Sequence, residues 1–480
     1  MQGTSGTTDT TRKSTRYGAW LLVGLGTVVL LTRLPWISAG YGADPDAYRV
    51  VNAARHFVRT GDYVASRLPG YPVYEYLTAL TTVSTSPVLS NGLTAVFSSV
   101  AAVFFALTLR FFEIKHDLLL SLAFSLTPTI YVNSTATMDY MVALAFMLGS
   151  TYFVLVRRPL VAGLLLGLAI GSRITSGALL LPLSLWILQE EKGRLGFKKT
   201  ARLWAAALAL GGLCFLPVVH RYGYGFFTFH DVSGYPGMAY LVRRGIVNVW
   251  GKPAVLGFLG LVLLAPLTVG DLKGGLRRPR FRHGLMLCAT LVVLYSAAFL
   301  RLPQESAYLI PAVPFILLFT GLVFRSRFVG YLCVAIMLSS FVTIGGRGLA
   351  FSGPIVNDHR IRETRIGDTQ AVLAATAQLP GNAVVVAGWR LPQIREALDR
   401  SGRVDRRFVY LIKDEESYQR LVSQGRQVYF LPGMAVYNLR TRGFDLRKLG
   451  ARPLWEPPAA SSPVPVTPSA RVTPEPRPGP

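Results

Sequence analysis

The sequence has 480 residues, of which 51% are hydrophobic and only 16% are charged, whereas soluble domains contain about 25% charged residues. This composition excludes an ordinary soluble enzyme and indicates a membrane protein. A formal charge of +25 would suggest a nucleic-acid partner for a soluble chain, but in a membrane protein we attribute it to topology and expect no nucleic acid.

Apolar runs recur between residues 17 and 346, and a helix needs about 20 apolar residues to cross the hydrocarbon core. A polar leader at 1–16, which we predict to be disordered, precedes them. Two runs are short for full spans, so a helical hairpin inside the bundle is an alternative there (159–171 and 177–188). We predict eleven spans, at 17–38, 88–109, 117–132, 140–156, 159–171, 177–188, 201–219, 253–269, 285–300, 307–324 and 329–345.

The distribution of Lys and Arg among the loops predicts the orientation of these spans. The leader and the loops on its side together carry 19 Lys and Arg, whereas the opposite loops carry 11 although they are longer in total. Cytoplasmic loops have the excess of positive charge, so we predict a cytoplasmic amino terminus. An odd number of spans then places the region beyond residue 345 outside the cell membrane.

That region has a different pattern from the bundle. Short apolar runs typical of strands alternate with helical segments, which indicates a small α/β domain. We predict strands at 383–387, 408–412 and 427–431 and helices at 392–400 and 415–423. We predict an all-α polytopic membrane bundle at 17–349, followed by an extracytoplasmic α/β domain at 350–452. The tail at 453–480 contains ten prolines and is predicted to be disordered.

The first outer loop, Tyr41–Leu77, is long and rich in polar residues. Asp44 and Asp46 flank Pro45, which keeps Asp44 extended and places two carboxylates at the membrane surface. Such acids can act as a general base or bind a divalent cation. The alternative is helix capping, for which Asp46 is well placed before a predicted helix at 47–60 that carries Arg49.

Two arginines lie beside residues that either restrict the backbone or are small enough for close packing. Arg67 begins a stiff Arg-Leu-Pro-Gly-Tyr-Pro turn that includes Tyr71, and Arg173 follows two small residues where two apolar runs meet. A guanidinium offers a planar fork to phosphate oxygens, so both residues are candidate phosphate ligands. The alternative is contact with lipid headgroups, by direct anchoring or by snorkelling.

Two further groups lie at the outer ends of spans. Asp139 is the only acid between Asp117 and Glu190, and an ionisable group near the membrane is a functional candidate, although a plain helix cap is the alternative. The loop before the tenth predicted span is rich in polar residues, including Gln304, Glu305 and Tyr308.

The order of these features resembles the GT-C superfamily of integral membrane glycosyltransferases, nearest to the bacterial protein-mannosyltransferase and aminoarabinose-transferase group. The resemblance covers residues 17–345. It rests on the motifs Arg33-Leu34-Pro35, ADPDAY around Asp44, RLPGYP from Arg67, Asp139, GSR ending at Arg173, and ESAYLIPAVPF from Glu305.

The resemblance implies a polyprenyl-phosphate-linked sugar donor, membrane lipids as partners and an acceptor that the sequence does not identify. It implies a catalytic acid in the first loop, but the sequence has Asp-Pro-Asp where the family has an Asp-Glu pair, so either aspartate could be the base. No cofactor is certain, and a divalent cation on Asp44 and Asp46 is an alternative. The implied roles are Asp44, Asp46 and Asp139 as catalytic acids, Arg67 and Arg173 as donor-phosphate ligands, and Arg49, Tyr71, Gln304, Glu305 and Tyr308 as sugar or acceptor contacts.

Two other functions compete with a transferase in the cell membrane. A transporter or flippase for a lipid-linked or anionic substrate would also need arginines among spans, but transporters tend to show repeated halves and midplane sites. We find no convincing repeat, and the ionisable residues lie at one rim. A scaffold for the outer domain would not need the acidic and arginine loops.

Overall fold

The computed structural model describes residues 6–227, 235–345 and 348–454, and for residues 6–17 it describes the backbone alone. The first helix begins at Gly6, within the leader for which the sequence predicts disorder. The predicted disordered tail lies outside the described residues beyond Leu454.

From residue 6 to residue 190 the chain forms nine α-helices joined by short connections. Proline begins several of them, at positions where its missing N–H has no intrahelical partner to lose. A 3-10 turn at Ile174–Leu179 leads into the last of the nine. The helices are α1 (Gly6–Arg33), α2 (Pro45–Thr60), α3 (Pro72–Ala79), α4 (Pro87–Phe111), α5 (Asp117–Ser125), α6 (Pro128–Asn133), α7 (Tyr140–Leu155), α8 (Pro159–Ser172) and α9 (Leu180–Glu190).

The second part of the bundle contains longer helices separated by short ones. A 3-10 turn at Ser306–Ala312 leads directly into α17. The helices are α10 (Gly193–Tyr222), α11 (Met238–Val242), α12 (Asn248–Trp250), α13 (Lys252–Leu263), α14 (Ala265–Thr268), α15 (Leu272–Leu276), α16 (Pro279–Arg301), α17 (Val313–Val323) and α18 (Ser326–Ser339).

The helices of the described chain are those of a multi-pass membrane protein. Five segments are long and apolar enough to cross a membrane: Gly18–Trp36, Pro87–Phe111, Gly193–Phe226, Pro279–Arg301 and Ser306–Val323. A sixth crossing results if Met238–Trp250 and Lys252–Leu263, bent by 97°, form one broken span. The remaining apolar helices of the bundle are shorter, so the predicted number of eleven spans is not confirmed.

The predicted span at 117–132 is wrong as a continuous helix. Helix α5 ends at Ser125 and α6 begins at Pro128, with Thr127 extended between them at a ψ of 131°. Proline cannot donate the backbone hydrogen bond that would join the two helices, and its ring forces the preceding residue out of the helical region. The break directs the chain toward the turn that carries Asp139.

Helix α8 packs unusually closely against α10. A Cβ added at Gly163 would lie 2.6 Å from the Leu203 carbonyl oxygen, and one added at Gly167 would lie 2.8 Å from the Leu210 Cβ. Small residues allow this approach between helices in a membrane, where dispersion contacts stabilise the pair. The close packing fixes the carboxyl end of α8, at which Arg173 lies.

The carboxy-terminal region forms the predicted small α/β domain. An antiparallel pair precedes it, and the sheet itself is parallel with the order β4-β3-β5-β6. The three predicted strands are present, whereas α19, α22 and β6 are additions to the prediction. The elements are β1 (Thr343–Gly345), β2 (Gly348–Ala350), α19 (Pro354–Ala377), β3 (Ala383–Val386), α20 (Leu391–Arg400), β4 (Phe408–Val409), α21 (Glu415–Ser423), β5 (Gln427–Phe430), α22 (Met434–Arg442) and β6 (Arg452–Pro453).

The α/β domain packs directly on the first outer loop through α20 and α2. Arg55 of α2 is buried, and its Nη1 lies 3.1 Å from Glu396 Oε1 and 3.4 Å from Asp399 Oδ2. Asn52 Nδ2 donates to the Pro392 carbonyl at 2.9 Å. Because a buried charge is costly unless it is paired, these contacts hold α2 in one position against the domain.

Candidate active site

Asp44, not Asp46, caps helix α2. The Asp44 Oδ1 accepts a hydrogen bond from the Asp46 amide at 2.9 Å, and Pro45 occupies the first helical position. The prediction of Asp46 as the cap is therefore wrong, because proline is suited to the position after the cap. The Asp46 carboxylate instead lies 3.2 Å from Arg49 Nη1 and 3.2 Å from Arg67 Nε.

Asp139 joins the two predicted phosphate-binding arginines. Its Oδ1 accepts from Arg67 Nη2 and its Oδ2 accepts from Arg173 Nη1, both at 2.6 Å. The Asp139 side chain is 0% exposed, and those of the two arginines are 14% and 12% exposed. Asp139 makes no capping hydrogen bond, so helix capping does not describe it, and the two guanidinium groups are mostly enclosed by protein.

Three tyrosines surround the two guanidinium groups. The Arg67 Cζ lies 4.1 Å from the centroid of the Tyr71 ring, and the Arg173 Cζ lies 4.2 Å from that of Tyr140 and 5.3 Å from that of Tyr308. Such contacts stabilise a cation and fix its orientation. The buried Arg67 Nη1 has no hydrogen-bond partner among the described residues, which leaves a donor that an anion would satisfy.

Glu75 organises the turn that presents Arg67, a role that the sequence analysis did not predict. This buried carboxylate accepts from the Ser66 amide at 2.7 Å, from the Tyr71 amide at 3.3 Å and from the Tyr63 hydroxyl. The only signal available in the sequence was an acid within a predominantly apolar and aromatic segment, Pro-Val-Tyr-Glu-Tyr-Leu.

A cavity of about 220 Å³ lies next to this cluster. It is bounded by the first loop, the segment after α6, the 3-10 turn before α17 and the start of α19. Its polar lining includes Asp44, Asn133, Asn248, Glu305 and Asp358. Tyr140, which stacks on Arg173, also lines it and connects the cavity to the arginine cluster.

Two acids that line this cavity, Asp44 and Glu305, have raised pKa values. Burial, together with the charge of Asp46, raises the pKa of Asp44 to about 6. Burial, together with the charge of Asp44, raises the pKa of Glu305 to about 8, although Arg244 lies 3.6 Å away and opposes the shift. Raised carboxyl pKa values of this kind are typical of groups that exchange protons near neutral pH.

Gln304 and Arg49, which the sequence also predicts as sugar or acceptor contacts, lie in two different places. Gln304 does not line the cavity and contacts Tyr240 through its main-chain carbonyl at 3.5 Å. Arg49 lies on α2 beside Asp46 and contributes a hydrogen bond that lowers the pKa of Tyr410 in the α/β domain, against a larger increase from burial. Arg49 therefore lies between the bundle and the domain.

The predicted metal site on Asp44 and Asp46 receives little support from this geometry. The described residues contain no cluster of three or more His, Cys, Asp or Glu side chains that could hold a metal ion. The Asp46 carboxylate is paired with two guanidinium groups, which compete with a cation for its oxygens. The residues present do not fit a metal centre, so we assign no chemical step to one.

Comparison with known proteins supports the fold. No family model and no curated protein sequence matches the chain. Among solved structures, the chain is similar to the apo crystal structure of ArnT from Cupriavidus metallidurans, an aminoarabinose transferase, with a TM-score of 0.56 and 12% sequence identity. The match covers 89% of this chain and 95% of ArnT. The chain therefore has the fold of ArnT over most of its length.

Proposed function

We propose that this protein is a glycosyltransferase of the cell membrane that moves a sugar from a polyprenyl-phosphate donor to an acceptor on the extracytoplasmic face. One observation carries the proposal. In an ArnT-like bundle, the buried Asp139 orients Arg67 and Arg173 beside a cavity that is lined by Asp44 and Glu305. Such a site combines phosphate ligands with a proton acceptor.

The arginines are suited to the leaving group of this reaction. As the bond between the sugar and the lipid phosphate breaks, negative charge accumulates on the phosphate. Arg67 and Arg173 are already fixed by Asp139 and by tyrosine rings, so little reorganisation is needed when that charge develops. The unpartnered Arg67 Nη1 is the donor that we assign to a phosphate oxygen.

Asp44 is the better candidate for the base. It lines the cavity, whereas Asp46 is paired with Arg49 and Arg67 and serves to position Arg67. We assign Asp139 the role of counter-ion for both arginines. With its pKa raised to about 8, Glu305 is mostly protonated at neutral pH and donates a hydrogen bond to a sugar hydroxyl.

The proposed reaction is a single displacement. The acceptor hydroxyl oxygen attacks the anomeric carbon and forms the new glycosidic bond. The bond from that carbon to the phosphate oxygen breaks, and polyprenyl phosphate leaves with the electron pair. The hydroxyl proton passes to Asp44, and the configuration at the anomeric carbon inverts.

The test uses purified protein and a polyprenyl-phosphate donor with a radiolabelled sugar. We expect the wild type to consume donor when native envelope fractions are supplied as acceptor. Asp44→Asn should reduce the rate by at least about a hundredfold, since general-base catalysis contributes roughly 10²–10⁴-fold. Asp62→Asn is the matched control, because Asp62 belongs to the same loop but is 52% exposed and pairs with Arg221.

The outcomes separate the assignments. Equal loss in the Asp44 and Asp62 variants, at equal amounts of folded protein, would contradict a specific role for Asp44. Loss in Asp46→Asn alone would move the base to Asp46. If wild-type protein leaves a panel of polyprenyl-phosphate sugars intact, the transferase proposal fails and a transporter becomes the better hypothesis.

A further inference from the structure

The carboxyl edge of the sheet in the α/β domain is a place where ligands are expected to bind. The chain passes from the central strand β3 to β4 on one side, and then crosses to β5 and β6 on the other side. The direction in which successive strands are added therefore reverses between β3 and β5. In open parallel sheets, ligands bind at such a reversal, in the crevice outside the carboxyl ends of the strands.

Residues with cationic and aromatic side chains occupy this edge. The turn after β3 contains Gly388, with a φ of +54°, followed by Trp389 and Arg390. Arg365 of α19 joins them from the side. The Cζ atoms of Arg365 and Arg390 each lie 5.2 Å from the centroid of the Trp389 ring.

Only one of the two arginines in this cluster forms an ion pair among the described residues. Arg390 Nη2 lies 3.1 Å from Asp368 Oδ2, whereas Arg365 forms no ion pair within the described ranges. The buried Trp389 Nε1 and Arg390 Nε have no hydrogen-bond partner among the described residues. Burial lowers the pKa of Arg365, and the charge of Arg390 lowers it further. An anion bound here would pair with the Arg365 guanidinium and accept hydrogen bonds from the unpartnered donors.

The helix that carries Arg365 lies beside the first loop. The negative charge of Asp44 raises the pKa of Arg365, in the opposite direction to burial. A Cβ added at Gly40 would lie 2.8 Å from the Tyr48 hydroxyl and 3.5 Å from the Ile366 Cδ1. The helix that carries Arg365 therefore packs on the segment that carries Asp44.

We propose that Arg365, Trp389 and Arg390 form an oxyanion-binding site on the α/β domain, separate from the donor-phosphate cluster of Arg67 and Arg173. The assignment of its ligand rests on the proposed function. The anion is a phosphate or carboxylate group of the acceptor, which the site holds so that the acceptor hydroxyl lies beside Asp44.

The binding test uses full-length protein in nanodiscs of neutral lipid. Equilibrium dialysis measures binding of radiolabelled inorganic pyrophosphate and, in a parallel arm, radiolabelled glucuronate. We expect the double variant Arg365→Gln/Arg390→Gln to lose one class of site, or to bind at least about tenfold more weakly, since both guanidinium groups would donate charged hydrogen bonds to the anion. Loss in the pyrophosphate arm alone identifies a phosphate, and loss in the glucuronate arm alone identifies a carboxylate.

Matched variants keep this test decisive. Arg406→Gln removes an exposed arginine of the same domain and should bind both probes as the wild type does. Arg390→Lys retains the charge and should lose less affinity than Arg390→Gln, and thermal unfolding curves verify that each variant is folded. Unchanged binding of both probes in a folded double variant would overturn the site.

A transfer assay then tests the ligand assignment. The acceptor concentration for half-maximal transfer should rise about tenfold or more in the double variant, while the KM for the donor stays unchanged. An unchanged acceptor dependence, with anion binding lost, would overturn the link to the acceptor. If wild-type protein transfers no sugar at all, the proposed function fails, whereas the dialysis result still decides whether the anion site exists.

Discussion

Replacing Asp139 with Asn tests the arrangement of the candidate active site most sharply. The substitution preserves the shape of the side chain but removes the one charge that pairs with both Arg67 and Arg173 at 2.6 Å. Removing one partner of a buried ion pair costs about 3–5 kcal/mol, because a charge stays buried without compensation. Since Asp139 is 0% exposed and leaves two such charges, we expect a loss of stability at the upper end of this range.

The assay is equilibrium unfolding in mixed detergent micelles, followed by circular dichroism. Asp46→Asn is the internal control, because Asp46 also pairs with Arg67 but is 27% exposed, and pairs of this kind contribute about 0–1 kcal/mol. We expect Asp139→Asn to retain the pH dependence of its residual transfer activity, because a counter-ion does not accept the proton of the acceptor hydroxyl. Equal stability losses in the two variants would refute the counter-ion role of Asp139, and a lost pH dependence would indicate that Asp139 is the base.

Three further predictions concern the candidate active site and the contact between α2 and the α/β domain. Because the pKa of Asp44 is raised to about 6, its ionised fraction rises from about a tenth at pH 5 to about nine tenths at pH 7. Steady-state rates should rise over this interval in the wild type and not in Asp44→Asn. Glu75→Gln places an amide group against the backbone N–H groups that donate to Glu75, and so loosens the turn that presents Arg67. The KM for the donor should rise about tenfold in steady-state kinetics, and circular dichroism should show that the fold is retained. Glu396→Gln leaves Arg55 buried without its nearest acidic partner and should cost about 3 kcal/mol in unfolding measurements, whereas Arg59→Gln, at an arginine 59% exposed, should cost under about 1 kcal/mol.

The sequence predicted which residues belong to the site better than it predicted the contacts between them. Arg67, Asp139 and Arg173 stand out because charged residues are rare in or beside apolar helices, and each lies in the candidate active site. Their mutual pairing was not predictable, since it depends on how α7 and α8 pack with the first loop. The capping role of Asp44 was predictable in principle, because Pro45 favours the first helical position, but it was assigned to Asp46.

The division of apolar segments into helices and the packing of the α/β domain were harder to predict, for different physical reasons. Hydropathy shows that the segment 117–132 is apolar but not that Pro128 divides it into two helices. The parallel sheet was predictable from alternating patterns, because buried strands such as Ala383–Val386 have continuous apolar runs. The packing of α20 on α2 depends on Arg55 and Glu396, which lie 341 positions apart, and no local pattern connects them.

The most direct test of the central claim separates transfer from transport in sealed proteoliposomes that contain a donor with labels on both the sugar and the polyprenyl phosphate. Both processes deplete donor from one leaflet, but only transfer breaks the bond between sugar and phosphate. We predict that wild-type protein releases unglycosylated polyprenyl phosphate in a one-to-one ratio with labelled acceptor, and that Asp44→Asn does not. Appearance of intact, doubly labelled donor in the opposite leaflet, with no free polyprenyl phosphate, would contradict the account.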